Sequence, residues 1–380
     1  MSNSVKLSIR NFAQIRQIDL ILGDLTVVVG AQGTGKSLAL QWLKAALDGK
    51  IITQTLRDAG HQMNRPNDYI DLIFGEGMGP SWKEESLVSI NGKGISPSNL
   101  SRRGKNVESV FYIPAHRSML ISDGWAMPFQ KLPSDTPIVA RIFSHNLFER
   151  FNRKNDDALF PVDKLMKQEY RELIDDAVYH GGKIKLEQVN YSKKLKLSYD
   201  DTSLPFMTWT AGQREFTPLL LGLYHLLPRT NKRKQEHIDW VIIEEPEMGL
   251  HPQAISVFLL LVLDLLWRGY RVVLSTHSPH VLSAVWMLQR LKKFRARPQL
   301  VCQSFHVRET QRVQEVIQSV LDKDYRVSLF EFENSKVISK NISDLDPEAE
   351  DESEAGWGGL TGYSSKFGDA VRQAANEHLK

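Results

Sequence analysis

Eight consecutive residues have the types and spacing needed to hold a phosphate chain. Residues 30–37 read Gly-Ala-Gln-Gly-Thr-Gly-Lys-Ser and fit the pattern GxxxxGK followed by Ser or Thr at every fixed position. Glycines let the backbone turn tightly with its N–H groups directed inward, and a following helix adds positive dipole. In that arrangement Lys36 reaches the β- and γ-phosphates, and the Ser37 hydroxyl binds Mg²⁺. The motif predicts a nucleoside triphosphate site.

The segments on either side of this motif are those that it requires. Residues 25–29 form an apolar run typical of a buried strand, and residues 38–47 have the spacing of a helix. This context favours a phosphate loop over the alternative, a glycine-rich turn that matches by chance. The predicted nucleotide-binding residues are Gly30, Gln32, Gly33, Thr34, Gly35, Lys36, Ser37 and Leu38.

Two carboxylates follow an apolar stretch in the second half of the chain. Residues 240–243 are predicted to form a strand that runs directly into Glu244 and Glu245. Because ligands of open α/β sheets bind beyond the carboxyl ends of the strands, Glu244 is expected to hold the water shell of Mg²⁺. Glu245 is then placed to polarise the attacking water as general base. The alternative is a solvated acidic turn.

A histidine ends the next predicted strand. Residues 275–279 read Ser-Thr-His-Ser-Pro, which brings His277 to the same edge of the sheet. An imidazole at that edge can contact the γ-phosphate and report its loss. Taken alone, such a histidine is more often a structural cap.

A second helix start has the residues for an anion site. Residues 209–215, Trp-Thr-Ala-Gly-Gln-Arg-Glu, precede an apolar helix predicted over residues 218–227. Backbone N–H groups at such a start can bind an anion, although an ordinary capped helix explains these residues equally well. Two phosphate-binding helix starts in one chain make most sense if two copies share a nucleotide across an interface.

The composition limits the classes of partner. Lys and Arg number 48 against 45 Asp and Glu, and a formal net charge of +3 gives no general electrostatic case for nucleic acid. The single cysteine, Cys302, excludes an internal disulfide framework and suits the cytoplasm. No signal peptide is visible, and the most apolar run, residues 257–263, is short of the ~20 residues of a membrane span. We therefore expect a soluble, cytoplasmic protein without membrane contact.

The chain has the alternation of an α/β protein with a mixed, largely parallel central sheet. Residues 5–9 and 18–22 alternate in polarity, which predicts antiparallel edge strands before the central strand. A further strand is predicted at residues 110–113. In the second half a helix over residues 252–268, closed by Gly269, separates two strands, as in a parallel, helix-covered sheet.

The middle of the chain departs from this alternation. Residues 117–160 show no assignable pattern, and residues 163–180 indicate a helix. Residues 183–189 and 194–199 alternate with period two and predict a hairpin. We interpret this part as a small inserted helical and hairpin lobe without a long coiled-coil arm, because no heptads are sustained.

The end of the chain is acidic and then glycine-rich. Residues 344–354 hold seven carboxylates and no Lys or Arg, which predicts a flexible linker, and residues 367–379 could form a short amphipathic helix or a frayed tail. The predicted divisions are residues 1–120 and 208–340 for the two parts of the phosphate-loop domain, 121–207 for the inserted lobe, and 341–380 for the linker and tail.

In their order along the chain these motifs resemble the ABC-type ATPases, specifically the soluble branch with RecF, the SMC proteins and the overcoming-lysogenisation-defect ATPases, which are also classed as AAA-type. The resemblance rests on the phosphate loop, residues 210–213, Glu244-Glu245, residues 250–252 and residues 275–277. The opening residues 7–12 and 18–20 also look like that branch's first strands. The resemblance covers residues 5–50 and 208–285 well and the middle of the chain poorly.

The resemblance implies an ATP hydrolase in which two chains sandwich two ATP molecules with Mg²⁺. Thr210, Ala211, Gly212 and Gln213 would form a signature that contacts, in trans, the γ-phosphate held by the other subunit. Lys36, Glu245 and His277 would be catalytic, the last as a switch histidine, and residues 247–251 would form the D-loop.

The chain departs from this family at several positions. The family usually has Asp in place of Glu244, Ser in place of Thr210 and Gly in place of Ala211, so slow hydrolysis is expected. The family's Q-loop glutamine, which assists the metal site formed by Ser37 and Glu244, should follow a mid-chain strand. His116 occupies that place, with Gln130 as its competitor.

Three functions compete. Residues 112–117, 124–125 and 208–216 resemble the stand-alone ATPases of bacterial antiphage operons, including the ATPase subunit of PARIS systems. That resemblance implies a homodimer or larger homo-oligomer that senses a phage protein and releases a separately encoded nuclease effector, with no nuclease motif in this chain. A transporter subunit is disfavoured by the family branch.

A DNA repair or chromosome-maintenance ATPase of the RecF kind is the other alternative, and it would require a basic surface facing DNA. Two local sets of cations could provide one, although solvated faces explain them as well. The sets are Arg229, Lys232, Arg233 and Lys234, and Arg290, Lys292, Lys293, Arg295 and Arg297.

Overall fold

The computed structural model describes residues 4–121, 124–152, 158–162, 165–190, 192–228 and 233–360. The strands are β1 Val5–Phe12, β2 Ile15–Leu22, β3 Leu25–Gly30, β4 Trp82–Ile90, β5 Lys93–Ile95, β6 Val110–Ile113, β7 Ala158–Phe160, β8 Lys183–Val189, β9 Ser192–Tyr199, β10 Thr202–Pro205, β11 Trp240–Glu244, β12 Arg271–Ser275, β13 Tyr325–Glu333 and β14 Lys336–Asn341. The helices are α1 Lys36–Asp58, α2 Pro66–Phe74, α3 Ile138–Phe151, α4 Gln168–Ile174, α5 Ala211–Leu226, α6 Pro252–Arg268, α7 Pro279–Lys293, α8 Pro298–Ser304, α9 Gln311–Leu321 and α10 Glu352–Ala355.

Ten strands form one mixed sheet in the order β5-β4-β1-β2-β14-β13-β3-β12-β11-β6. Strand β3 is parallel to both its neighbours, β12 and β13, and β11 is parallel to β12 and β6. Strands β1, β2, β4 and β5 form the antiparallel part. The predicted α/β architecture with a mixed central sheet is confirmed.

The prediction that β1 and β2 are edge strands is wrong. Strand β1 lies between β4 and β2, and β2 lies between β1 and β14. Alternation along a strand reports one solvated face, which an interior strand of an antiparallel region also has. The edges of this sheet among the described residues are β5 and β6.

Helices cover both faces of the sheet. On β3, Val27 and Val29 join the core that contains α5, α6, α7 and α9, whereas Val28 points to the core formed with α1 and α2. Successive side chains of a strand face opposite ways, so a strand buried on both faces must be apolar throughout. This explains the continuous apolar runs that predicted β3 and β11, both fully buried.

Helix α6 has the predicted bounds. Pro252 stands in its first turn, and Gly269 ends it in the left-handed region with φ of 95°. Twelve of the 17 residues of α6 are buried, including all of residues 257–266, which explains the apolar run in its sequence. Because β11 and β12 are parallel neighbours, with Glu244 opposite Ser275, the loop after β11 begins beside the loop after β12.

The middle of the chain contains a second sheet, in the order β10-β9-β8-β7. The predicted hairpin is confirmed as β8 and β9. The predicted helix is α4, which continues as a π-helical turn to Tyr179, while residues 163 and 164 lie outside the described part. Helix α3 occupies residues that showed no assignable pattern. The inner face of β8 and β9 packs into the same core as α5 and α6, so the lobe shares its interior with the main sheet.

The C-terminal strands complete the central sheet. Strands β13 and β14 insert between β3 and β2, an arrangement that the sequence did not reveal. Residues 344–354, predicted as a flexible linker, instead turn back onto this sheet. Leu345 is fully buried, and the indole of Trp357 donates to its carbonyl oxygen at 3.2 Å. The helix predicted over residues 367–379 lies outside the described residues. Within the described ranges, no helix has the length and apolar character to cross a membrane.

Candidate nucleotide-binding site

The phosphate loop, residues 30–37, joins β3 to α1. Gly30 has φ of 147°, and a Cβ there would lie 2.2 Å from the carbonyl oxygen of Phe330 on the neighbouring strand. Gly33 and Gly35 both have φ of 76°, which strains any residue with a side chain. Three of the motif's glycines are therefore required by backbone geometry, and Gly35 caps α1.

Lys36 is held over the loop by backbone oxygens. Its Nζ donates to the carbonyls of Gly30 and Ala31, each at 2.9 Å, and the residue is 5% exposed. Burial lowers the pKa of Lys36, and the negative charge of Glu245 nearby opposes that shift. The ammonium lies beside the loop that would cradle phosphates.

The other loop residues divide into supports and exposed positions. The Thr34 hydroxyl donates to the carbonyl of Ala31 at 2.8 Å, and Gln14, from the β1–β2 turn, donates its amide to the carbonyl of Gly33 at 2.9 Å. Gln32 is exposed, and Leu38 is half-buried in the first turn of α1. The support from Gln14 was not predicted, because it comes from a separate turn.

Glu244 ends β11 as a buried carboxylate, 4% exposed. Its Oε2 accepts a hydrogen bond from the Ala115 N–H at 3.3 Å, and its Oε1 has no partner among the described residues. Burial raises the pKa of Glu244, and the neighbouring Ser37 and Tyr112 hydroxyls oppose that rise. Mg²⁺ takes few protein oxygens and keeps several waters. The unpartnered oxygen of Glu244 beside the Ser37 hydroxyl fits that donor set.

Glu245 and His277 lie at the same edge of the sheet, where their side chains are in contact. The Nε2 of His277 lies 3.5 Å from Oε1 of Glu245, and both side chains are about 30% exposed. Glu245 has φ of 40°, a left-handed conformation, and its N–H donates to the carbonyl of Ser275 at 2.9 Å. The hydrogen bond from His277 is the main cause that lowers the pKa of Glu245, helped by the charge of Lys36. Strained backbone of this kind is often kept where it aims a functional side chain.

Glu247 fixes the loop that carries the histidine. Its Oε1 accepts from the Thr276 hydroxyl at 2.8 Å and from the His277 N–H at 2.6 Å. The sequence placed Glu247 only in the D-loop region. Glu244, Glu245, Glu247 and His277 together are called the strand-end cluster below.

Arg117 ties this cluster to helix α5, and sequence reasoning missed it. The residue is fully buried, and its guanidinium nitrogen atoms contact backbone oxygens from three segments. They donate to the carbonyls of Pro114, Ala115, Glu215, Glu244, Glu245 and Pro246 at 3.0–3.5 Å. Its Nε is 3.9 Å from the Glu215 carboxylate. The sequence around Arg117 does not identify this role, because its partners on the other two segments, Glu215 and residues 244–246, lie about 100 or more residues away.

Helix α5 begins at Ala211, and the predicted start at Pro218 is wrong. Thr210 is the N-cap, since its hydroxyl accepts from the Gln213 N–H while the Gln213 side chain accepts from the Thr210 N–H. Such a capping box is a stronger start signal than a proline, which here stands inside the helix. The signature residues therefore form the first turn of α5.

The four signature residues do not all face outward. Thr210 and Ala211 are exposed, whereas Gln213 is buried and donates its amide to the Val178 carbonyl at 3.1 Å and to the Tyr199 hydroxyl. Gly212 packs so closely on the D-loop region that a Cβ would lie 3.0 Å from the carbonyl of Gly249. No described hydrogen bond or ion pair joins these residues to the phosphate loop of the same chain.

The remaining candidates lie at the margin of the site. His116 is exposed, and its charge helps to lower the pKa of Glu245. Gln130 is exposed and does not line the cavity beside Ser37 and Glu244. Across the described ranges, no three His, Cys, Asp or Glu side chains cluster as a metal site of their own. Arg229 and Lys232 of the first predicted basic set lie outside the described residues, and Lys234 pairs with Asp239 at 2.7 Å.

Comparisons with known proteins give an ATPase domain and nuclease relatives. Residues 128–282 match the family described as AAA ATPase domain. An OLD nuclease of Thermus scotoductus is 23% identical over 323 residues, which cover 72% of this chain and 58% of that protein. The Old nuclease of Escherichia phage P2 is 22% identical over 344 residues, covering 73% and 57%. The chain thus spans less than three fifths of these relatives' length.

The solved structures that match this chain include SMC heads. The SMC head bound to the C-winged helix domain of ScpA is 11% identical with a TM-score of 0.40, covering 88% of this chain and 96% of that one. The SMC head domain from Thermotoga maritima is 12% identical with a TM-score of 0.37, covering 89% and 98%. The family match of residues 128–282 and the phosphate loop at residues 30–37 both indicate that this chain contains an ATPase domain.

Proposed function

We propose that this ATPase binds Mg²⁺·ATP between two copies of the chain and uses closing and reopening of that interface to control a separately encoded effector. The observation that carries the proposal is that two parts of the chain can each bind phosphate, while no described hydrogen bond or ion pair joins the second part to the phosphate loop of the first. Lys36 and the strand-end cluster form one part, and the exposed start of α5 forms the other.

The start of α5 can supply the second half of a phosphate site. The first N–H groups of a helix have no intrahelical partner. Those of Thr210 and Gln213 are taken up by the capping box, which leaves the N–H groups of Ala211 and Gly212, and no described hydrogen bond engages them. Directed amides at a helix start favour an anion, and a partner's γ-phosphate is an anion of the right size.

The strand-end cluster can orient an attacking water. Glu245 is ionised at neutral pH because His277 and Lys36 lower its pKa, so it accepts a hydrogen bond from water and is a weak base. His277 is held by Glu247 and contacts Glu245, so the imidazole lies beside the carboxylate that would orient the water. When bound, Mg²⁺ would neutralise phosphate charge between Ser37 and Glu244. Glu245 is a weak base, and Glu244 is longer than the Asp usual in the family that the sequence resembles. Both features support slow turnover.

The effector part of the proposal rests on resemblance. The antiphage motifs of residues 112–117 and 208–216 and the nuclease relatives both suggest that the controlled activity is nucleic acid cleavage. We propose that the nuclease is a partner chain and that a phage protein triggers its release. Co-purification of the adjacent gene's product with this chain, lost on addition of the trigger, would support it. Failure to co-purify under any nucleotide condition would contradict it.

A DNA-binding ATPase is the second candidate, favoured by one surface feature. Lys293, Arg295 and Arg297 are exposed around Phe294, which is 72% exposed, after helix α7. Cations beside an exposed aromatic ring suit single-stranded DNA. Binding that weakens steeply with salt, and that is lost in Phe294→Ala, would favour this function over effector control.

Cross-linking can test whether the nucleotide is shared. Gln32 and Ala211 are both exposed, one on the phosphate loop and one at the start of α5. Gln32→Cys and Ala211→Cys chains, carrying different tags, should cross-link to each other when ATP is added to Glu245→Gln backgrounds. The same pair with Lys36→Ala should not. A cross-link confined to single chains that carry both cysteines would refute the shared site.

A further inference from the structure

One buried side-chain oxygen beside the nucleotide site has nothing to bind. Gln41, on α1, is 7% exposed, and its Oε1 has no hydrogen-bond partner among the described residues. A buried acceptor without a partner opposes folding, and such groups are rare in native proteins. We therefore look for a hydrogen-bond donor to Oε1 of Gln41 in the ligand-bound protein.

The helix directs Gln41 toward the metal-binding end of the loop. It follows Ser37 by four residues, so the two side chains lie on the same face of α1, one turn apart. Side chains on a helix lean toward its N-terminus, which points the long amide of Gln41 back toward Ser37.

A cavity supplies the space in which a partner would stand. It has a volume of about 750 Å³, and its wall includes Ser37, Gln41, Glu244 and Glu245. The remaining wall contains apolar residues such as Met119 and Leu132 as well as polar ones such as Asp135. Two buried oxygens without a partner occur in this wall, Oε1 of Gln41 and Oε1 of Glu244.

We propose that the Gln41 amide oxygen accepts a hydrogen bond from a water of the hydrated Mg²⁺ that Ser37 and Glu244 would hold. This deepens the proposed function and rests on it. A hydrated Mg²⁺ presents several water donors, and acceptors around it are needed to fix them. A neutral amide adds such an acceptor without placing another negative charge beside Glu244 and Glu245. Gln41 would then position the water of the metal ion, a role for which the sequence analysis suggested His116 or Gln130.

Magnesium titration of ATP binding tests this role directly. Gln41→Met keeps the side chain's length and removes its oxygen. We expect ATP binding in EDTA to match wild type, while the Mg²⁺ concentration that gives half of the metal-dependent gain in ATP affinity rises about 10–100-fold. Gln54→Met is the matched control, because Gln54 lies on the exposed side of the same helix and donates to Asp58. It should titrate as wild type.

Stability separates this role from a structural one. Since the removed oxygen has no partner, Gln41→Met without nucleotide should melt no lower than wild type. A lower melting temperature with an unchanged Mg²⁺ midpoint would assign Gln41 to the core and overturn the proposal. An unchanged midpoint in a stable variant overturns it as well.

A second variant covers failure of the first to fold. Gln41→Glu retains an oxygen and adds charge, so its midpoint should move to lower Mg²⁺ concentration, and no movement contradicts the proposal. If wild type binds ATP but shows no Mg²⁺ dependence, the metal role of Gln41 fails alone. If wild type binds no ATP, the proposed function fails first.

Discussion

The phosphate loop and the strand-end cluster are built in opposite ways. In the loop, Lys36 is held by carbonyls five and six residues away, and Thr34 bonds to Ala31. In the cluster, Glu247 holds His277 across 30 residues, and Arg117 holds Glu244 across 127. The loop's geometry is largely a property of a contiguous segment, whereas the cluster's geometry exists only once the sheet has formed.

This difference separates binding from turnover. Changes within the loop should remove the groups that hold phosphate and so abolish affinity. Changes to the cluster or its distant supports should leave phosphate binding intact and disturb the placement of the attacking water, which is sensitive to shifts of about 1 Å. Four variants test this division, in order of decreasing effect on activity.

Lys36→Ala should have the largest effect. It removes the charge that contacts two phosphates, and with charge-assisted hydrogen bonds worth about 1.5–3 kcal/mol each, ATP should bind about 100-fold more weakly or worse. Titration with a fluorescent ATP analogue measures this. Lys50→Ala, an exposed lysine of the same helix, is the control and should bind normally. Near-normal affinity in Lys36→Ala would remove the loop from its role.

Glu245→Gln should reduce turnover about 100-fold or more with ATP affinity retained, because a general base contributes about 10²–10⁴-fold. The neutral amide should also trap the ATP-closed form, visible as a persistent larger species in size-exclusion chromatography. Steady-state phosphate release gives the rate. Turnover equal to wild type would exclude Glu245 as the catalytic carboxylate.

Arg117→Lys tests whether distant support matters for turnover. Lysine keeps the charge but cannot reproduce a planar fork that spans six carbonyls. We expect kcat to fall about 10-fold and KM to stay within about 2-fold, since Arg117 supports the strand-end cluster and makes no described hydrogen bond to the phosphate loop. Assays well below the melting temperature separate this from loss of stability. A rise in KM with unchanged kcat would contradict the division.

The sequence predicted what lies in contiguous patterns. Short stretches of sequence were enough to predict the phosphate loop, strands β3 and β11, and helix α6. The two strands are apolar runs, and Pro252 and Gly269 mark the ends of α6. It did not predict β13 and β14, Arg117 or Gln14, whose roles depend on pairings across the whole chain.

Gly30 was predicted from the contiguous motif, but its role also depends on a distant strand. Its position in the motif was evident, yet one reason that only glycine fits is the carbonyl of Phe330, 300 residues away. The start of α5 differs from the prediction for another reason: the capping box of Thr210 and Gln213 begins the helix, and Pro218 is accommodated inside it. Sequence motifs therefore give the position of the site, but they do not show the distant contacts that require its residues.

His225 gives the smallest effect on activity and the sharpest test of how α5 is held. Its ring stacks on Phe111 of β6, with centroids 4.7 Å apart, and burial lowers its pKa to about 4. The unfolded chain takes up a proton near pH 6.5 and the folded chain does not until about pH 4. The free energy of unfolding should therefore fall as pH drops through this window, by about 3 kcal/mol in total from this residue.

His225→Gln should remove this acid sensitivity while leaving turnover at pH 7 within about 2-fold, because His225 contacts neither the loop nor the strand-end cluster. Urea unfolding at pH 4.5 and pH 7 measures the difference. If the two proteins lose stability equally on acidification, His225 is not the buried group that titrates. If turnover at pH 7 falls as far as in Arg117→Lys, the packing of α5 on β6 is itself part of the catalytic geometry. The distant supports of the strand-end cluster would then include His225 as well as Arg117.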